Sequence, residues 1–248
     1  AVMEVARGGI LREGLGYDRN DVAVVTNVAP DHLGLRGIDT LAQLAAVKAV
    51  VVEAVPKNGF AVLNADDPHV RSMRRKCSGE IVWFTLAAPG SDIREFVDAH
   101  CRRGGRALYL DPTDRGDMIA IQHGRRAMQL AWTHLLPATF GGTARFNVAN
   151  ALAAAGAAFA AGAPLHDIRQ GLRTFTSNYY LSPGRLNLVE VNNVEVFVDY
   201  CHNAAGMRAL GDFVDRYAAT RVGRADLGRV SRIGAIGAAG DRRDSDLR

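Results

Sequence analysis

Two hydrophobic rhythms alternate along the chain. Asp21 to Val28, "DVAVVTNV", is a short apolar run bounded by polar residues, the pattern of a parallel strand buried on both faces. A helical pattern follows from about Thr40 to Val55 and is stopped by Pro56 and "KNG". Gly59 to Asp66, "GFAVLNAD", reads as a second strand. Pro68 then opens a short helix at the favoured first helical position, and Glu80 to Thr85, "EIVWFT", is a third strand. Strand, helix and strand joined by short links predict a right-handed parallel βαβ sheet in an α/β fold.

From Arg106 to Trp132 the rhythm shortens into alternating runs split by Gly and Asp turns, which predicts an antiparallel excursion of hairpins. Helices are expected again at about Phe146 to Ala161 and Leu165 to Phe175. Ala149 to Ala163 is alanine-rich and broken by Gly156 and Gly162, so it reads as a tightly packed core helix. Ser182 to Tyr200 predicts two strands around an Asn192-Asn193 turn. A helix from about Ala204 to Tyr217 and a final strand, Arg232 to Gly237, follow. This renewed α/β pattern places a domain boundary near Leu181, dividing the chain into 1–181 and 182–248.

Composition narrows the function class more than the fold. The 248 residues are 48% hydrophobic and 23% charged, ordinary for a globular protein of one large or two smaller domains. The net charge of +4 comes from arginines spread over turns and helix faces, with no aromatics interleaved as a stacking platform for bases. That argues against a nucleic-acid partner and supports only a weak preference for an anionic substrate. No apolar run reaches membrane-spanning length and no signal peptide opens the chain. Cys77, Cys101 and Cys201 are widely spaced with no CxxC, which points to a reducing, cytoplasmic compartment and no structural zinc. The chain opens in "AVMEVARGG" and stops at "AIGAAGDRRDSDLR", as if both ends were cut through folded structure, so a piece of a longer protein is expected.

Polar islands interrupt the apolar pattern at strand and loop ends: Glu4 with "ARGG"; Asn27 to His32; Asn64 to Asp67; Asn147 and Asn150; and Arg185 with Asp199 and His202. Singly, each has a structural reading. Asp31 can cap a turn and His32 can be a partly buried histidine. "NADDP" makes a sound helix N-cap, the two asparagines can cap their helix, and Arg185 can be a turn arginine. Lys48 stands among alanines and valines on its helix; it either snorkels to the surface or is held neutral by burial.

Taken together and in order, these stretches resemble the Mur ligase superfamily, ATP-dependent enzymes that form amide bonds. The resemblance rests on "EVARGGILREGLGY", "VVTNVAPDHLGLRGIDTLAQLAAVKAVVVEAV", "GFAVLNADDPHV", "GGTARFNVANALAAAGAA", "SPGRLNL", "VDYCHNAAG" and "GAIGAAGDRRDSD", nearly the whole chain apart from roughly residues 86–138. The glutamate followed by "ARGGILR", with "APDHLG", marks the cyanophycin-synthesising branch.

That resemblance implies a P-loop-type central domain with a mostly parallel sheet and the start of a Rossmann-like C-terminal domain, both truncated. It implies ATP and Mg2+ as cofactors, with Glu4, His32 and a carbamylated Lys48 as metal ligands. It assigns Asn147 and Asn150 to adenine, Arg185 to the phosphates and Asp199 to the ribose; Lys48, His32 and Arg185 are the catalytic candidates, and Asn27 supports the metal and acceptor region. The implied reaction joins arginine to the side-chain carboxylates of poly-aspartate, the backbone of cyanophycin, within a homo-oligomer. A folylpolyglutamate or muramyl-peptide synthetase, or a non-catalytic module, is the alternative. Phe146 departs from the histidine common among relatives. No GxxxxGK[ST] loop is present in the 248 residues, so the chain by itself is expected to be inactive.

Overall fold

The computed structural model describes residues 1–31, 33–192 and 194–221. His32, Asn193 and the strand expected at Arg232 to Gly237 lie outside the described residues. The chain divides into two units, the first ending at Phe175 and the second beginning at Thr176.

In the first unit, α1 (Arg7–Glu13) precedes β1 (Val22–Val25), α2 (Leu41–Glu53), β2 (Phe60–Asn64), α3 (Pro68–Ser72) and β3 (Glu80–Thr85). Then come α4 (Asp92–Arg102), β4 (Arg106–Thr113), β5 (Gly116–His123), β6 (Arg126–Trp132), α5 (Arg145–Ala160) and α6 (Leu165–Thr174). The strands form one six-stranded sheet in sequence order. β1 to β4 run parallel, and β5 and β6 are antiparallel. The hairpins expected from Arg106 onward are therefore built onto the sheet, because β4 is also its fourth parallel strand. The crossover that makes this possible is α4, an element not expected above although Ile93, Phe96, Val97 and Cys101 recur at helical spacing behind the Ser91 cap. Its buried positions are Arg94, Val97 and Cys101, and Arg94 is held by the Tyr109 ring at 3.5 Å, by Asp98 at 3.0 Å and by the Leu110 carbonyl at 3.1 Å.

Successive strand residues point to opposite faces, and both faces are covered. On one, Ala61, Leu63, Trp83 and Tyr109 meet Leu44 and Val52 of α2 and Val97 of α4. On the other, Val62, Phe84, Leu108 and Ile121 meet Val148 and Leu152 of α5 and Ile168 of α6. Gly156 lets α5 lie close to the sheet: a Cβ there would sit 2.9 Å from Val62 Cγ1 and 3.0 Å from Leu108 Cδ1.

β6 is the last strand in the order and carries a bulge. Its register passes from Ala120–Gln129 to Ile119–Ala131, leaving Leu130 as the extra residue. Arg169 of α6 donates to the Leu130 carbonyl at 2.7 Å and to that of Gln129 at 3.2 Å. An arginine thus covers carbonyls at a sheet edge that would otherwise invite pairing.

In the second unit, β7 (Asn187–Val191) and β8 (Val194–Val198) form an antiparallel hairpin followed by α7 (Ala204–Arg221). Asn192 takes the left-handed conformation the turn requires, with φ 51°. Phe213 and Tyr217 of α7 stack edge-on against Phe197, with ring centroids 5.0 and 5.1 Å away. Among the described residues no helix is long and apolar enough to cross a membrane.

Candidate functional site

Parallel strands end at a common edge, where open α/β sheets take their ligands. Here β1 stops at Val25, β2 at Asn64 and β3 at Thr85, and polar side chains tie the three exits together. Asn64 donates from Nδ2 to the Thr26 carbonyl at 2.8 Å and accepts the Asp66 amide at 2.9 Å. The Asp66 carboxylate accepts the Thr85 hydroxyl and, at 2.8 Å, the Leu86 amide. Asp67 caps α3 through Oδ1, accepting from His69 and Val70 at 2.8 and 3.1 Å. Its other oxygen accepts the Val28 amide at 2.6 Å.

Lys48 completes this cluster. Thr40 starts α2 with a capping box closed by Gln43, and the helix then carries Lys48 back to the strand exits. The part-buried side chain donates from Nζ to the Asn27 carbonyl at 3.1 Å. Of the two readings open in the sequence, the side chain turns inward. Burial lowers the ammonium's pKa below its ordinary value, while the negative charges of Asp31 and then Asp67 pull it back up. Thr26, Asn27 and Val28, three successive loop residues, are thus each gripped by a different side chain: Asn64, Lys48 and Asp67.

The other expected residues fall in separate places. Glu4 is exposed and precedes α1, while Arg7 of α1 donates to the Leu35 carbonyl at 2.5 Å, tying α1 to the loop after β1. His32 lies outside the described residues. Asn147 and Asn150 share one face in the first turns of α5: Asn150 donates to Asn147 Oδ1 at 3.2 Å, and Asn147 donates to the Ala138 carbonyl at 2.7 Å. Arg145 at the start of α5 pairs with Asp117 at 2.7 Å, and Asp117 faces Pro112 near the end of β4. The start of α5 therefore lies at the same sheet edge as the exits of β1 to β3.

Within the second unit, the Arg185 guanidinium lies over the Tyr200 ring at 5.7 Å. Both oxygens of Asp199 accept backbone amides, Leu186 at 2.9 Å and Cys201 at 2.8 Å. His202 Nδ1 lies 3.0 Å from the Tyr200 carbonyl.

Magnesium takes oxygen ligands and keeps waters. Around Lys48 such oxygens are already engaged, the Asn27 carbonyl by Lys48 and both Asp67 oxygens by backbone amides, so these residues do not by themselves make a magnesium site. Among the described residues there is no group of three or more His, Cys, Asp or Glu able to hold a metal; the expected set of Glu4, His32 and Lys48 includes a residue outside them.

The fold and this edge belong to an identifiable class: residues 1–158 match the Mur ligase middle domain, and the chain is a member of that family. Within it, the chain is 44% identical over 247 residues to the cyanophycin synthetase of Synechocystis sp., which covers 100% of this chain and 26% of that protein. It is 29% identical over 211 residues to the UDP-N-acetylmuramoyl-L-alanyl-D-glutamate–2,6-diaminopimelate ligase of Gloeobacter violaceus, covering 84% of this chain and 37% of that one. The crystal structure of MurF from Acinetobacter baumannii shares the fold, with a TM-score of 0.54 and 21% identity over 80% of this chain and 38% of that chain. The chain spans about a quarter of the length of the cyanophycin synthetases it matches.

Proposed function

We propose that this chain supplies the central part of an ATP-dependent ligase that joins arginine to the side-chain carboxylates of poly-aspartate. The reaction runs through an acyl phosphate and releases ADP and phosphate. The observation that carries this reading is the 44% identity to a cyanophycin synthetase across the whole chain, against 29% to a muramyl-peptide ligase. The polar edge of the sheet agrees with it, because it gathers oxygen donors and a part-buried lysine where a phosphoryl-transfer site belongs.

Glu4, His32 and a carbamylated Lys48 would hold Mg2+, which would supply the charge neutralisation that phosphoryl transfer between anions requires. Burial makes Lys48 a better nucleophile toward CO2 by favouring its neutral amine, and the resulting carbamate is an anionic oxygen ligand. Asn27 holds Lys48 in place through its carbonyl. Asn150, exposed on α5, and Asn147 beside it contact the adenine; Arg185 takes the phosphates, where a fixed charge with forked donors suits phosphate oxygens, and Asp199 the ribose. The protein works in the cytoplasm as a homo-oligomer.

The test is incorporation of radiolabelled amino acid by the intact protein with ATP and a poly-aspartate primer. Arginine should enter the polymer. Label entering only from glutamate onto a folate, or from an amino acid onto an amino-sugar peptide, would assign a different Mur-type reaction. No incorporation with any of these acceptors would favour a non-catalytic module.

A further inference from the structure

Asp67 sits in a segment whose sequence reads as a plain helix cap, yet its two carboxylate oxygens serve different elements. Oδ1 accepts the first free amides of α3, His69 and Val70. Oδ2 accepts the Val28 amide at 2.6 Å, across 39 residues of chain. A residue needed only as a cap has no use for the second contact. The Val28 bond is also short and charge-assisted, the stronger kind. It falls beside the Asn27 carbonyl that receives Lys48 and at the root of the loop leading to Asp31 and His32.

We propose that Asp67 is a positioning residue, which fixes the loop after β1, and with it Asn27 and the approach of Lys48, separately from capping α3. For the effect on catalysis, the inference rests on the function proposed above. Its physical core, the bridge itself, does not.

Serine separates the two roles. Serine caps helices about as well as aspartate, but its hydroxyl is too short to hold α3 and span to Val28 at once. In the intact protein carrying Asp67→Ser, amide exchange at Val28 should quicken by roughly tenfold or more, as expected for the loss of a hydrogen bond to a charged acceptor. Exchange at His69 and Val70 should stay near wild type. ATP-dependent ligation should lose about 10- to 100-fold in kcat, with KM for ATP little changed, as for a misplaced reacting group. Asp67→Asn, which keeps the length and also caps well, should behave alike, because an amide carries a single acceptor oxygen for the two duties.

Unchanged exchange at Val28 in both variants would overturn the proposal. So would faster exchange spread equally over the Val28 and α3 amides, since holding the loop would then be inseparable from capping α3. Were the wild type to show no ligation at all, the functional reading would fall, and Val28 exchange would still decide the bridge.

Discussion

Alanine normally stabilises a helix interior over glycine, by about 1 kcal/mol, yet Gly156→Ala is expected to destabilise this protein. The new methyl would stand 2.9 Å from Val62 Cγ1 and 3.0 Å from Leu108 Cδ1, roughly half an ångström or more inside the optimum carbon–carbon separation. Both neighbours are fully buried. The Leu108 methyl is the end of a flexible side chain, but Val62 is β-branched and stiff about χ1, so α5 must lift from the sheet. Overpacking of this kind costs ~1–3 kcal/mol; set against the propensity gain, a net loss of about 1 kcal/mol is expected. Val62→Ala removes the obstructing carbons and alone should cost about 2 kcal/mol. In the double variant the two losses should fall short of additivity by about 1 kcal/mol or more, since the residues touch. Urea melts followed by circular dichroism complete the cycle. A Gly156→Ala protein at least as stable as wild type, with an additive cycle, would refute this account of why α5 lies so close.

Three further outcomes follow from the same geometry. Lys48 has a lowered pKa in the folded chain, so between that value and 10.5 the unfolded chain binds more protons and stability rises with pH; melting points in CO2-free buffer should therefore climb with pH relative to Lys48→Met, and parallel curves would contradict the burial. Arg169→Ala strips the donors from the Leu130 and Gln129 carbonyls and should cost about 1–2 kcal/mol, read as a lower melting point; an unchanged one would mean water replaces the arginine at no cost. In the intact protein held in 13C-bicarbonate, carbon NMR should show a carbamate signal that vanishes in Lys48→Met; a signal surviving the substitution would place the modification elsewhere.

The strands were legible because their apolar runs are short and bounded. β3 spans Glu80–Thr85, the stretch the pattern marks, and Thr40 announces the start of α2 by its capping box. α4 was legible but missed: Ser91 caps it and Ile93, Phe96, Val97 and Cys101 share one face, whereas the burial of Arg94 could not be read, because Tyr109 and Leu110 hold it from β4. Without α4 the parallel partnership of β4 could not be foreseen either. At the site, the apolar pattern marked Asn27 and Lys48 as out of place, while Asn64 shared with Asp67 the reading of a helix cap. It could not reveal that Asn64, Lys48 and Asp67 converge on Thr26 to Val28, because those bonds join residues 21 to 39 positions apart and exist only once β1 and β2 lie side by side. Asp67 was hidden by having a sufficient local explanation as a cap.

The most direct trial of the account is ADP release by the intact protein given ATP, poly-aspartate and arginine, with wild type and Lys48→Met measured side by side. ADP should appear only when both acceptor and arginine are present, and the variant should lose roughly a hundredfold or more in rate, the scale expected when a group that organises the reacting site is removed. ADP release indifferent to arginine, or a Lys48→Met protein as fast as wild type, would contradict a ligase built around Lys48 at the edge of this sheet.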